Sequence, residues 1–390
     1  MSFQIALTGI SAINTALDSI TNNIANSSTY GFKSTRANFS ALYAGTTPAG
    51  AQASSITQSI DIGGGALTTG RSLDAMVQGR GFFVAKDSTG VEVYTRVGIF
   101  NVDKAGYLVD SLNRRMQGYS AVGGGLGSLG DLKVPSGQIA AQATSNVSYV
   151  SNLSSDWTTP AAAFDPSNPL TYNSSDVSVV FDSLGAKHTV GQYFVKSGMN
   201  EITVNYTFDG VPQGAPQVMS FDTAGVLASA PTVTLTPTPA GADAMTIVMD
   251  YTGTTQYAGE SRPSVNAPDG YASGTRVNVL LAGDGSLVAE YSNGQKETVG
   301  TIALATFPNE QALTAIDDSS WTNSNLSGLA LYLTPGTGSA GDLTVGAIEQ
   351  SNVDMTSELV NLMTSQRNYQ ANTKVISTEN DMMQSLMQAV

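Results

Sequence analysis

The stretch Phe3-Gln-Ile-Ala6-Leu-Thr-Gly-Ile10-Ser-Ala-Ile13-Asn-Thr-Ala-Leu17-Asp-Ser-Ile20-Thr-Asn-Asn-Ile24 brings an apolar residue round at alternating steps of three and four. Steps averaging about 3.5 residues keep one stripe of a helix turned to a partner, the pattern of a coiled-coil seam. The C-terminus repeats it at Met355, Leu359, Leu362, Gln366, Tyr369, Thr373, Ile376, Asn380, Met383, Met387 and Val390. Eight of those eleven positions are apolar, and the polar three suit register more than strength. These two stripes are the candidate assembly seam. Periodicity leaves two readings open. The ends pair with each other inside one subunit, or they pair and also pack against copies of themselves.

Opposite the first stripe lie Ser2, Thr8, Ser11, Asn14, Thr15, Ser19, Thr21 and Asn22, with Asp18 the only charge; the first basic residue is Lys33. A helix lying on a membrane carries Lys or Arg beside its apolar face, and a secretory signal begins with a basic segment. The sequence has neither, so membrane insertion is not expected. A neutral-polar back suits a helix packed on several sides by protein.

Charged residues make up 12% of the 390, half of what an ordinary globular chain carries. Gly, Ser, Thr, Asn and Ala fill the gap, giving a neutral surface on which many copies can touch. The net charge of −14, with no cluster of Lys and Arg, argues against a nucleic-acid partner. Without cysteine there is no disulfide, thiol catalysis or zinc–thiolate site. No apolar run approaches the ~18 residues that suggest a membrane span.

The first helix is expected to stop near Asn26, after about 35 Å at 1.5 Å per residue. Residues 29–70 read as an extended connector with one short strand near Ser55–Ile62. From Arg71 the chain turns to strands punctuated by turns. Asp87-Ser-Thr-Gly90, Asp103-Lys-Ala-Gly106, Asp182-Ser-Leu-Gly185 and Asp222-Thr-Ala-Gly225 share a D-x-x-G signature, with Asp to cap and Gly to close the turn. Composition shifts near 146 and 270, and most prolines lie between. The expected fold is therefore mainly β with helical termini. Residues 1–28 and 351–390 form a terminal helical domain, 71–145 and 272–350 an inner β domain, and 146–271 an inserted domain of barrel or sandwich type. Ser351-Asn-Val-Asp354 reads as a capping box for the last helix, with Asp354 and Glu358 favoured by its dipole.

Three stretches carry a resemblance. Asn22-Asn23-Ile24-Ala25-Asn26-Ser-Ser-Thr29-Tyr30-Gly31-Phe32-Lys33 is similar to the N-terminal signature of the bacterial flagellar rod and hook axial proteins. Gly79-Arg-Gly81-Phe82-Phe83 with Thr95-Arg96-Val-Gly98-Ile-Phe100 resembles a hairpin region of the same family. Ser351-Asn352-Val353-Asp354 through Glu358-Leu359-Val360 and Gln366-Arg367-Asn368-Tyr369 resembles its C-terminal signature. The likeness covers roughly 1–120 and 272–390, and the large insert fits a hook-type member better than a rod-type one. The resemblance implies an extracellular structural polymer, exported unfolded through the flagellar type III apparatus without a cleaved signal. Its terminal helices would line a channel, and its partners would be copies of itself and the rod, hook-cap and hook–filament junction proteins. A distal rod protein, or an adhesive β protein with dimerising helices, are the alternatives.

Enzymatic readings are weaker. His188 is the single histidine and so the one candidate general base; just after a turn, it reads as a solvated strand residue. Gly123-Gly-Gly-Leu-Gly127 lacks the helix and acid that a phosphate-binding loop needs. Asp103, Asp110, Asp317 and Asp318 lack calcium-loop spacing and read as turn acids. No cofactor is expected.

Overall fold

The computed structural model describes residues 2–122, 125–135 and 137–389. Gly123 and Gly124 of the glycine run, and Val390 of the C-terminal stripe, lie outside them. The chain divides into two compact units. One comprises Met1–Ser136, Asn278–Glu290 and Lys296–Val390, the other Gly137–Val277 and Tyr291–Gln295.

In the first unit the two ends of the chain are zipped together. Helix α1 spans Ser2–Ala25 and is followed by strands β1, Thr35–Ala44, and β2, Thr47–Gln58. Further on, Ala66–Thr68 pairs antiparallel with Ala347–Glu349, and Ala75–Gln78 with Asp342–Val345. The returning chain then enters helix α2, Met355–Ala389. A sheet runs through Lys296–Ile302, Arg115–Val122, Phe82–Lys86, Glu92–Thr95 and Ser320–Thr322. Its core gathers Phe82, Tyr94, Phe307 and Trp321, with ring centroids 4.8–6.2 Å apart.

Two expectations for this unit are corrected. Residues 29–70 are not a bare connector, because β1 and β2 form a long antiparallel hairpin. Gly45 supplies the left-handed residue at its tip, φ 66°, and the strands carry so many small residues that no apolar alternation betrayed them. The capping box also differs. Asp354 is itself the cap, its Oδ1 accepting from Thr356 N at 3.0 Å and its Oδ2 from Ser357 Oγ at 2.6 Å. Ser351 instead accepts from Val353 N.

The second unit has two sheets. One orders Thr232–Leu235, Ile247–Asp250, Asn146–Ser151 and Pro263–Pro268; the other orders Ser174–Phe181, Lys187–Gly198 and Glu201–Phe208, with Gln217–Ser220 beside the last. Tyr149, Leu235, Ile247 and Met249 from the first meet Val180, Phe194, Val204 and Met219 from the second in one buried core. Of the two forms expected, this is the sandwich: among the described residues no sheet closes into a barrel. The D-x-x-G stretches are the turns they promised. In each the Asp accepts the backbone N–H four residues on, at 2.8–2.9 Å, and the Gly takes a φ of 77–90°.

Candidate assembly surface and the clamp between the chain ends

Asn23 Nδ2 donates to Glu358 Oε1 at 2.8 Å, and a side chain at Gly9 would come within 3.2 Å of the Asn372 amide nitrogen. The two meeting points lie at opposite ends of the shared stretch on the two helices, so α1 and α2 are antiparallel. On that register Ser2 falls opposite Glu379. Residues 380–389 of α2 run past the start of α1, by about 15 Å at 1.5 Å per residue.

The helices pair, but not along the whole expected seam. On α1, Ala6, Ala12 and Ile20 are buried, and Ile10, Ile13, Leu17 and Ile24 are half-buried. Phe3 is 46% exposed. On α2 the residues turned inward are Glu358, Leu362, Ser365, Asn372, Ile376 and Glu379. Leu362 and Ile376 are therefore in place, while Leu359, Tyr369, Met383 and Met387 stay exposed in the single chain. The Asn23–Glu358 bond and the close approach at Gly9 set the rotation of α2, and they bring a mostly polar row to α1. Val360, Met363, Val375, Met382 and Leu386 are exposed as well. Apolar side chains thus lie around much of the uncovered girdle of α2.

The hairpin lies on another side of α1. A Cβ at Gly50 on β2 would sit 1.9 Å from Thr8 Oγ1, so only glycine lets the strand this close. Phe39 and Tyr43 on β1 remain 54% and 67% exposed. A groove bounded by α1, α2 and the hairpin is lined by Ala12, Ile13, Ala16, Phe39 and Ala51.

At the foot of the helices the signature residues build a clamp. Asn26 caps the end of α1: its Nδ2 donates to Asn22 O and Oδ1, and its Oδ1 accepts from Thr29 Oγ1 at 3.0 Å. Asn23, 1% exposed, accepts from Thr35 N and donates to Thr35 O, both at 2.8 Å. Gly31 takes a φ of 65° and sends its N–H to Glu349 O at 2.8 Å, with Val97 packed where a side chain would go. Phe32 O accepts from Asn352 N at 3.3 Å. Asn352 also accepts from Ser34 N and donates to Ser59 O and Ile62 O, so one side chain gathers three segments.

Beneath this lies a buried charge cluster. Lys33 Nζ donates to Glu349 Oε1 at 2.6 Å and to Ile62 O at 2.7 Å, and both charged side chains are 0% exposed. Gly64 N adds a bond to the same carboxylate oxygen at 2.9 Å. Arg96 stands 3.6 Å from Glu349 Oε2, donates to Val77 O and Gly79 O, and lies over the Phe82 ring. Burial pushes the Lys33 ammonium and the Arg96 guanidinium below their ordinary values, and Glu349 opposes that in both. The cluster joins residues just after α1, the Arg96 region and residues just before α2. Sequence reading missed Glu349. Its signal was a lone acid closing the apolar pair Ala347-Ile348.

The sites weighed for chemistry are occupied by structure. Asp110 bonds Arg114 and two backbone N–H groups, and Gly125–Asp131 is a strand paired with Arg115–Val122. Among the described residues no group of three or more His, Asp or Glu is arranged to hold a metal, and no helix is long and apolar enough to cross a membrane.

Four family models match in chain order. They are the flagella basal body rod protein at residues 3–33, the flagellar hook protein FlgE/F/G D1 domain at 76–149, the flagellar basal body protein FlaE D2 domain at 152–271, and the flagellar basal body rod FlgEFG protein C-terminal at 344–389. The chain is 37% identical to the flagellar hook protein FlgE of Salmonella typhimurium, over 99% of both chains. The chain belongs to the flagellar hook protein FlgE family. It is 31% identical to the Treponema pallidum hook protein, over 98% of this chain and 97% of that one. The crystal structure of Helicobacter pylori flagellar hook protein FlgE2 shares the fold, with a TM-score of 0.54 at 15% identity over 74% of this chain and 99% of that one. A hook subunit is a structural protein, and the zipped ends of this chain lie within or beside the stretches matched by the two rod-protein models, 3–33 and 344–389.

Proposed function

We propose that copies of this chain polymerise into a curved helical tube that joins rod to filament outside the cell and turns as a universal joint. The observation that carries this reading is the apolar girdle of α2. Leu359, Val360, Met363, Tyr369, Met382, Met383, Leu386 and Met387 are 38–74% exposed in one chain, and a second copy offers the matching chemistry. A surface that meets a different surface on the next copy adds subunits head to tail, which gives an open helix when the rotation does not close. The rod, hook-cap and hook–filament junction proteins are the partners at the two ends of such a tube. Export through the type III apparatus without a cleaved signal suits a chain with no disulfide, whose clamp forms only when both ends have emerged. Catalysis has no part in this reading.

The test uses Leu359→Asp and Met363→Asp, single substitutions on the exposed face. They leave the melting of the dilute monomer unchanged, because neither side chain is buried there. They abolish tubes in concentrated protein viewed by electron microscopy, because each places a carboxylate in an apolar contact at a cost of several kcal/mol. Normal tubes from both variants would overturn the reading; so would discrete dimers from the parent chain.

A further inference from the structure

The single histidine lies in the second unit. His188 is the second residue of the strand Lys187–Gly198, and its ring is bonded to both neighbouring turns. Its Nδ1 lies 2.6 Å from Asp209 Oδ2, and its Nε2 lies 3.2 Å from Asp182 Oδ2. Asp182 opens the turn before the strand, and Asp209 the turn after Glu201–Phe208. The ring is 16% exposed and stacks on Phe208 at 5.0 Å with a 25° interplanar angle.

Neither carboxylate is free to turn away. Asp182 Oδ1 accepts from Leu184 N and Ala186 N at 2.9 and 2.8 Å. Asp209 Oδ1 accepts from Thr189 N and Thr189 Oγ1 at 2.8 and 3.2 Å, and its backbone sits at a φ of 49°, the left-handed region that aspartate enters more readily than most residues. The two Oδ2 atoms therefore face the ring from opposite sides with fixed positions. A neutral imidazole has one N–H and one lone pair, so it can satisfy only one of them and turns a lone pair on the other. An imidazolium donates to both.

We propose that His188 is a proton-gated latch, which in its charged form fastens the Asp182 and Asp209 turns of this unit together and on losing its proton releases one of them. Among the described residues the charged groups that act on the ring are these two carboxylates; Lys187, its neighbour in the strand, is exposed.

The ionisation equilibria agree in direction. Partial burial disfavours the imidazolium, but the bonds to Asp209 and Asp182 outweigh it and raise the His188 pKa above its ordinary 6.5. Burial likewise opposes both carboxylates, and the backbone and His188 bonds outweigh it, holding Asp182 and Asp209 below their ordinary 3.8. The sign follows from linkage. The histidine's contribution to stability is complete below 6.5 and is lost as pH rises through its folded value. The contribution of the aspartates is present above 3.8 and is lost as pH falls through theirs. The latch is thus strongest between those limits, and alkaline media loosen this unit.

With one histidine in the chain, the imidazole resonances of the intact dilute protein can be followed by NMR without assignment. The titration midpoint is expected above 6.5, and Asp209→Asn or Asp182→Asn each lower it by about one unit, a tenfold change in the protonation constant. Trp157 packs against this unit's core, so its fluorescence in a Trp321→Phe background reports unfolding of the second unit. The urea midpoint should fall between pH 5.5 and pH 9, and His188→Gln should remove most of that fall. A midpoint at or below 6.5, or a His188→Gln profile that tracks the parent across the same range, would overturn the latch. If an aspartate variant fails to fold, the titration of the parent and the His188→Gln profile still decide.

Discussion

Glu349→Gln tests whether the clamp at the foot of the helices holds the first unit together. The substitution keeps the shape of the side chain and an oxygen that can accept from Gly64 N. It removes the charge that Lys33 meets at 2.6 Å and Arg96 at 3.6 Å, both with side chains no more than 2% exposed. No solvent reaches the site to compensate. Breaking a buried pair by removing one partner costs about 3–5 kcal/mol, mostly because the other charge is left without a counter-ion. Here two cations are left, so the upper part of that range is expected at neutral pH. Adding Lys33→Met removes one stranded cation and should recover part of the loss, which gives a coupling of at least about 1 kcal/mol in the double-mutant cycle. The assay is urea unfolding read by Trp321, 2% exposed in the first unit and bonded through Nε1 to Gln58 at 2.8 Å, in a Trp157→Phe background. A loss under about 1 kcal/mol for Glu349→Gln, together with additive single effects, would refute the reasoning.

Gly50→Ala should lift the hairpin off α1, since its Cβ would lie 1.9 Å from Thr8 Oγ1 at a φ of 117°; proteolysis within residues 44–58 should speed up, at a cost of about 1–3 kcal/mol in backbone strain, and unchanged cleavage would count against the docking. Replacing residues 143–270 by a short Gly/Ser linker joins Gln142 to Tyr271, which already exchange two backbone bonds at 3.0 Å. Tubes that form but stay straight would assign bending to the second unit; normally curved tubes would deny it that role, and no tubes at all would show it is needed for assembly.

The sequence announced its helices and its turns because each rests on a local rule. Alternating steps of three and four need only the geometry of one helix, and Asp-x-x-Gly needs only one aspartate reaching four residues on. The hairpin of β1 and β2 was not legible, because strands such as Thr-Pro-Ala-Gly-Ala-Gln-Ala-Ser-Ser carry no apolar alternation. What makes them strands is their packing on α1, and the signal for that was a glycine at position 50 whose meaning needs Thr8 beside it. The rotation of α2 escaped for a related reason. Heptad counting asks which face is most apolar, and it chose Leu362 and Ile376, which do turn inward, together with Leu359, Tyr369, Met383 and Met387, which stay exposed in the single chain. The chain chose its inward face by where Asn23 finds Glu358 and where Gly9 admits Asn372, two contacts separated by more than 330 residues of sequence.

That difference bears on what the apolar residues of α2 are for. Had the expected seam closed inside one chain, a monomer would have spent most of its apolar helical surface on itself, and little would remain to draw copies together. The polar clamp instead fixes the helix pair with Asn, Glu and Lys contacts that demand one register. The Leu and Met side chains left outside carry no such demand, and long flexible side chains can repack against neighbours in more than one arrangement. A subunit in a rotating bent tube has to meet its neighbours at changing separations once per turn. On the proposed assembly, a fixed clamp within the chain and an adaptable apolar surface between chains would divide those two tasks between different residues. The clamp variant and the surface variants should therefore fail differently. Glu349→Gln lowers the stability of the free chain, whereas Leu359→Asp and Met363→Asp leave it alone and stop the tube. If Leu359→Asp destabilised the dilute monomer as much as Glu349→Gln does, the division would be wrong, and α2 would be packed on its own chain by the face that heptad counting chose.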